Sequence, residues 1–443
     1  MRICLITPGQ PSTDPRLVKE ADALHDAGHE VHVLCSHYVP WADEADKALL
    51  ASRPWRCTYI GGAPRRASPA YYWTRARHAL ARRALSVWPA SSFLQRRVLD
   101  RIAPELERAA LRTSADLYIA HYTGALPAAV LAARRYGARL GFDAEDLEFG
   151  GCHPEQCPSH QDLVVERSQS RYLPECDYIT ASSSGIAEAY ALSYRLMLPT
   201  TILNVFPVAH RPPKFRPANP DGPLALYWFS QTVGLDRGLP DAVRALGLLR
   251  GCRIELHIRG ELRENRRQGL LSLAASCGVQ RQQLVFHPPG SPEEMVRLSA
   301  EYDVGLALEP GVTRNNDMAI SNKLGTYLLA GNAVAATATS GQRSVVAKIG
   351  GAGFCYPWGD AQALARGLLP WYENREELDR ARRQAWDWGT REFNWDLEKQ
   401  RLLRVVEGVL AGFGDGVDGL ETADHCDGSM AAHPALSATG SPK

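Results

Sequence analysis

Short runs of apolar, β-branched residues alternate with amphipathic stretches of helix length along almost the whole chain, and this alternation limits the fold most. The opening reads strand, loop, helix, strand: Ile3–Ile6, the Pro-rich loop Thr7–Arg16, Leu17–Ala27 stopped by Gly28, then Glu30–Leu34. Leu17, Ala21 and Leu24 recur at helical spacing, while Val31, Val33 and Leu34 carry the strand signal. Further strands are predicted at Asp116–Ala120, Arg139–Phe142 and Tyr178–Ala181. A second series follows the Pro-rich stretch Pro207–Pro223, with strands at Leu224–Phe229, Ile254–Ile258, Leu284–Phe286, Val304–Leu308 and Ala333–Ala336. Strands that alternate with helices build parallel sheets covered on both faces. The expected architecture is α/β, with two doubly wound Rossmann-like domains at 1–206 and 207–395. Sites in such sheets lie beyond the carboxyl ends of the strands, which points to the cleft between the domains.

Composition narrows the reading. Hydrophobic residues make up 45% and the formal net charge is +1, so neither wholesale disorder nor a global attraction to nucleic acid is indicated. No apolar run approaches the roughly 20 residues of a membrane span. The opening MRICLITPG lacks the longer apolar region of a signal peptide, and the ten scattered cysteines suit a reducing compartment. The expectation is a cytoplasmic protein, with a disordered tail at 412–443, where Gly, Asp, Ser and Ala take over.

The second domain carries the sharper chemistry. Glu309 follows the strand DVGLALEP at its carboxyl end. After the polar loop GVTRNNDMAI, Ser321-Asn322-Lys323 opens an apparent helix, KLGTYLLA, that stops at Gly331. Ser and Asn suit a helix N-cap. A lysine in the first turn opposes the helix dipole, so Lys323 is either a plain exposed side chain or the partner of a bound anion. Residues 227–238 form a strand running into a small polar loop that contains Ser230 and Gln231, with Arg237-Gly238 just before a predicted helix, Leu239–Leu249. Such a loop is either an ordinary turn or, with its backbone N–H groups and Arg237, a cradle for a diphosphate. On neighbouring strands the two segments together describe a nucleotide-diphosphate pocket.

These segments resemble the GT-B glycosyltransferases, in particular the family 4-like group of bacterial polysaccharide enzymes. ISNKLGTYLLAGNAVAAT is similar to that group's Lys-Leu-x-Glu-Tyr pattern, and LYWFSQTVGLDRGLPDAVRAL resembles its first donor-domain strand, loop and helix. PSTDPRLVKEADALHDAGHEVHVL resembles its opening unit, and FNWDLEKQRLLRVVEGVL its terminal helix, here 396–411, which crosses back onto the first domain. The resemblance implies a nucleotide-diphosphate-sugar donor in the second domain and a saccharide or lipid-linked acceptor hydroxyl in the first. It implies retention of anomeric configuration and no metal requirement. Thr326 stands where the group has a glutamate on the donor ribose, and Ser230 where it has a loop glycine. Glu309 matches the group's first acidic residue, near the sugar. A nucleotide-sugar epimerase of the same fold and a non-catalytic nucleotide-binding protein are the alternatives.

In the first domain, His121 ends one predicted strand, and Asp143, Glu145 and Asp146 follow another. A His beside carboxylates suits acid–base work or a satisfied structural contact. The resemblance places an acceptor-facing His at the first position and an Asp-x-His-Glu-like motif at the second. Asp14-Pro15 reads as a helix N-cap and first turn, with Arg16 contacting an acidic cleft group as the alternative. CHPEQCPSH (152–160) reads as a loop near the acceptor cleft rather than a metal site, for which its spacing fits only loosely. Residues 65–112 hold eleven arginines interleaved with aromatic and apolar residues. Read as helices, this is either a solvated face or a surface for anionic lipid head groups at the inner face of the cell membrane.

Overall fold

The computed structural model describes residues 1–37, 39–40, 42–64, 68–149 and 159–414. The first domain is a parallel sheet of β1 (Arg2–Ile6), β2 (Glu30–Ser36), β3 (Arg56–Ile60), β4 (Leu117–His121), β5 (Arg139–Ala144), β6 (Tyr178–Ala181) and β7 (Thr200–Thr201), ordered β3-β2-β1-β4-β5-β6-β7. The second holds β8 (Leu224–Thr232), β9 (Ile254–Glu261), β10 (Leu284–His287), β11 (Val304–Ala307), β12 (Ala333–Thr337) and β13 (Gly353–Tyr356), ordered β10-β9-β8-β11-β12-β13, also parallel. The order reverses between β1 and β4, and again between β8 and β11. Crevices open at such reversals, at the carboxyl ends of the strands.

The central strands read clearly because both of their faces are covered. All four residues of β11 are buried, as are four of the five in β1, so each is a continuous apolar run. The strands absent from the sequence reading, β3, β7 and β13, lie at sheet edges, and most of their residues are only partly buried. The expected first helix is present at Pro15–Asp26. Asp14 caps it by accepting from the Leu17 N–H at 3.0 Å, with Pro15 in the first turn. The polar loop after Glu309 contains a further short helix, Arg314–Met318, capped by Thr313.

The last helix, Trp395–Gly414, returns to the first domain. Trp395, Leu402, Val406 and Leu410 are buried with Leu17, Leu24, Val33 and Ile119 in one core cluster. The two crossings between the domains are tied together. The Trp395 N–H donates to the Phe206 carbonyl at 2.9 Å, the Leu203 N–H to Glu398 at 3.0 Å and the Val208 N–H to Asp396 at 2.8 Å. The tail expected from 412 begins inside this helix, which runs to Gly414, and the rest of it lies outside the described residues. Residues 150–158, most of the Cys- and His-bearing loop, also lie outside them. Among the described residues, no helix is long and apolar enough to cross a membrane.

Each of the four apolar side chains on the returning helix contributes roughly 1.5–3 kcal/mol by burial. Ending the chain after Gly414 should therefore leave the melting temperature unchanged. Ending it at Asn394 should expose the first-domain core and remove soluble protein. Equal yields of the two truncations on size-exclusion chromatography would refute this role for the helix.

Candidate functional site

At the second reversal, β8 and β11 bring the two sequence segments together. Arg237 lies in the loop after β8 and donates to Ser230 Oγ at 3.2 Å. That loop approaches the end of β11 closely. Gly238 has φ of +75°, and a Cβ there would sit 2.5 Å from Leu308 Cβ, so only glycine fits. Glu309, just past β11, accepts from Lys323 Nζ at 2.7 Å and from Ser321 Oγ at 2.9 Å. Its carboxyl is held below the ordinary range, first by the Lys323 charge, against burial, and further by Ser321 and the Arg237 charge. Two cations, two hydroxyls and one carboxylate thus form a single partly exposed cluster.

Two expectations about the helix Asn322–Ala330 need correction. Ser321 occupies the N-cap position, but its hydroxyl does not cap the helix; it is spent on Glu309. Thr326 is fully buried, and its hydroxyl donates back to the Asn322 carbonyl at 3.0 Å. It is therefore not presented to a ribose in this structure. Asn322 and Gln231 are exposed. The anion that Lys323 demands at a helix N-terminus is supplied internally by Glu309.

In the first domain, His121 and Asp143 are buried in a charge network instead of lining a cleft. Arg16 grips Asp143 with two N–H groups, at 2.6 and 2.7 Å, and donates a third bond to the Ile202 carbonyl at 2.5 Å. Thr180 donates to Asp143 at 2.5 Å. His121 Nε2 lies 2.8 Å from Glu20, close enough for an ion pair but not aligned as a hydrogen bond, and Nδ1 lies 3.6 Å from Asp143. Of the two readings of Asp14–Arg16 the structural one holds: Asp14 caps the helix, and the acid that Arg16 contacts is the enclosed Asp143, not a cleft group. Burial pushes the His121 imidazole down, but Glu20, Asp14 and Asp143 outweigh it and hold the pKa at about 9.

Glu145 is the candidate that remains partly exposed. Its carboxyl accepts from the Tyr122 hydroxyl at 2.9 Å and from Asn204 at 3.2 Å. Burial first, then the charge of Asp14, raises its pKa to about 8. Tyr122 has φ of +65°, a conformation rare for a non-glycine residue and often found at functional sites. Lys19 donates to Asn204 Oδ1 at 2.6 Å and to the Val205 carbonyl at 2.8 Å. Sequence reasoning missed Tyr122, Asn204, Lys19 and Glu20. Lys19 offered the one usable signal, since only seven of the fifty basic residues are lysines.

The two halves meet across the cleft. Asn315 donates to Asp146 at 2.9 Å and accepts from the Leu147 N–H at 2.7 Å, and Ser183 donates to the Met318 carbonyl at 2.8 Å. A crevice beside the crossing is lined by Ser182, Asn204 and Val205 on one side and by Ser321, Asn322 and Gly325 on the other. Among the described residues, no three His, Cys, Asp or Glu side chains are grouped to hold a metal ion.

No family model and no curated protein matches the chain. Solved structures do. Anabaena HepE in complex with UDP has 14% identity, covers 92% of this chain and 100% of its own, and superposes with a TM-score of 0.65. Sucrose-phosphate synthase from Thermosynechococcus elongatus has 15% identity, coverages of 93% and 100%, and a TM-score of 0.66. A glycosyltransferase from Rickettsia africae has 13% identity, coverages of 92% and 98%, and a TM-score of 0.64. The likeness extends over both domains, and the fold is GT-B.

The raised His121 pKa has a signed consequence. A group whose folded pKa of about 9 exceeds the ordinary 6.5 stabilises the native state fully below pH 6.5 and loses that contribution as pH rises through 9. The difference corresponds to about 3 kcal/mol. The destabilisation caused by His121→Gln should therefore be largest near pH 6 and shrink by about that much by pH 9.5. Urea titrations of both proteins across this range check it. A constant gap would mean that folding does not raise the pKa of His121.

Proposed function

We propose that this chain is a glycosyltransferase, which moves a sugar from a nucleotide-diphosphate-sugar to a hydroxyl of a saccharide or lipid-linked acceptor. One observation carries the reading: Arg237 and Lys323 converge at the strand-order reversal of the second sheet, beside Ser230, Ser321 and a helix N-terminus. Solved structures of HepE hold UDP and UDP-glucose, which supports a nucleotide-sugar donor for this chain. Arg237 and Lys323 would offset the charge that builds on the leaving diphosphate. Gln231 and Asn322, both exposed, would add polar contacts. Glu309, released from Lys323 when phosphate arrives, would accept from a sugar hydroxyl. Thr326 takes no direct part, because its hydroxyl is committed inside its own helix.

Glu145, with Tyr122 and Asn204 around it, would orient or deprotonate the acceptor hydroxyl. His121, Asp143 and Arg16 act as positioning residues that hold the strand ends. Contacts across the cleft such as Asn315–Asp146 would bring the reacting groups together and exclude water, since hydrolysis is the competing reaction. The reading includes retention of configuration, no metal requirement and a cytoplasmic setting, peripheral at the inner face of the cell membrane when the acceptor is lipid-linked. The arginine-rich stretch 65–112 supports that last element.

Calorimetric titration tests the donor site. Lys323→Ala should weaken binding of a nucleoside diphosphate by about 1.5–3 kcal/mol, the worth of a charge-assisted contact, and leave nucleoside binding nearly unchanged. Glu309→Gln should strengthen diphosphate binding, because it removes the anion that competes for Lys323. If Lys323→Ala leaves diphosphate affinity intact, the donor assignment falls. Donor turnover with no acceptor present would instead favour an epimerase of this fold.

A further inference from the structure

The helix Pro69–Val87 and the helix Ser92–Leu99 form a hairpin on the first domain, with Ser68 and Ser91 as their N-caps. The inner face of the first helix is well anchored. Ala81 and Leu85 are buried against Val98 and Val164, and Arg77 grips Glu105 with two N–H groups at 2.5 and 2.6 Å. Its outer face is the unusual one. Trp73, Leu80 and Val87 follow one another at roughly two-turn spacing along a single stripe and are 63%, 68% and 65% exposed. At the hairpin tip, Trp88 and Phe93 are 63% and 53% exposed, beside an open depression lined by Val87, Trp88, Pro89, Ala90, Ser91 and Leu94. A contiguous apolar stripe of this kind on an anchored helix marks an interaction surface.

The charges around the stripe identify the partner. Arg83 is exposed beside it, and Arg75 and Arg82 are exposed further round the same helix; among the described residues none of the three forms an ion pair. Arg97 stacks over the Phe93 ring at 4.0 Å. Exposed tryptophans and aliphatic side chains on a helix whose exposed arginines make no ion pair match a bilayer surface, in which rings sit at head-group depth and cations meet anionic phosphate. We propose that this hairpin docks the protein on an anionic lipid bilayer by inserting the stripe Trp73–Leu80–Val87 and the tip Trp88–Phe93, with the arginines setting the preference for anionic lipid. The inference deepens the lipid-linked branch of the proposed acceptor and rests on the transferase reading only there, because it stands on the surface itself. Insertion adds an apolar component that salt does not screen, whereas the arginine contribution weakens with ionic strength.

Cosedimentation of the full chain with vesicles tests it, using phosphatidylcholine alone and phosphatidylcholine with about 30% phosphatidylglycerol. The wild type should pellet with the anionic vesicles and retain part of that binding at about 0.5 M salt. The triple variant Trp73→Ser, Leu80→Ser, Trp88→Ser alters only exposed side chains, so its melting temperature should hold while its partition coefficient falls at least ~10-fold. Arg82→Glu with Arg83→Glu should abolish the preference for anionic lipid. Three outcomes overturn the proposal. The wild type stays in the supernatant at low salt, or the triple variant pellets as well as the wild type. In the third, sedimentation velocity finds a concentration-dependent dimer that the triple variant abolishes while vesicle binding is absent, which makes the stripe a self-association face. Calorimetric binding of a nucleoside diphosphate, measured on the same proteins without lipid, reports the donor site separately, so either reading fails alone.

Discussion

The buried pair Arg16–Asp143 is the contact on which the first domain depends. One guanidinium joins the start of the first helix, the carboxyl end of β5 and the Ile202 carbonyl, where the chain is about to leave the domain. Both side chains are almost completely enclosed, so removing either partner would strand a charge in the interior, at a cost of about 3–5 kcal/mol. The pair also explains its surroundings. Asp14, Glu20 and Asp143 together supply more negative charge than Arg16 offsets, and the nearest group able to correct the imbalance is His121. Its elevated pKa follows from that imbalance.

The second domain solves a related problem in the opposite way. Lys323 sits in the first turn of a helix, where the dipole disfavours a cation, and Glu309 is placed where an anion would be favoured. The two neutralise each other at a partly exposed spot instead of inside a core. An internal anion of this kind is replaceable. Under the donor reading, a diphosphate enters by exchange for Glu309, which keeps the empty site from carrying two uncompensated cations, Arg237 and Lys323.

The fold was legible because covered strands and amphipathic helices leave opposite periodicities, and β1, β8 and β11 carry both of their faces in apolar residues. Edge strands such as β3 and β13 leave a weaker trace, since their half-buried faces tolerate mixed composition. The meeting of Arg237 with Glu309 and Lys323 could be anticipated, because strand order in doubly wound sheets brings β8 beside β11. The orientation of Thr326 could not. Helical spacing gives its face, but whether that face is buried depends on the packing around it. His121 misled for a similar reason: a histidine at a strand end has the same local pattern whether it opens to a cleft or closes on Glu20, which lies far away in sequence. Asn204 and Lys19 meet only through the tertiary fold.

The crossings between the domains pass abruptly from one core to the other. Ile202 is buried in the first-domain cluster with Leu17 and Ile119, whereas Leu203 packs on the second-domain cluster with Tyr227 and Phe393. On the return, Phe393 belongs to the second core and Trp395 to the first. Each crossing therefore changes cores within two residues, and Arg16 fixes the chain through Ile202. Beyond that point Lys19 holds Asn204 and Val205 and lies 5.0 Å above the Trp395 ring, so one side chain touches both crossings. Burial first, then Arg16, pushes its pKa down to about 7. Asn204 in turn donates to Glu145, whose own pKa is about 8. Through Asn204 and Lys19 that carboxyl is joined by two contacts to the point where one domain gives way to the other.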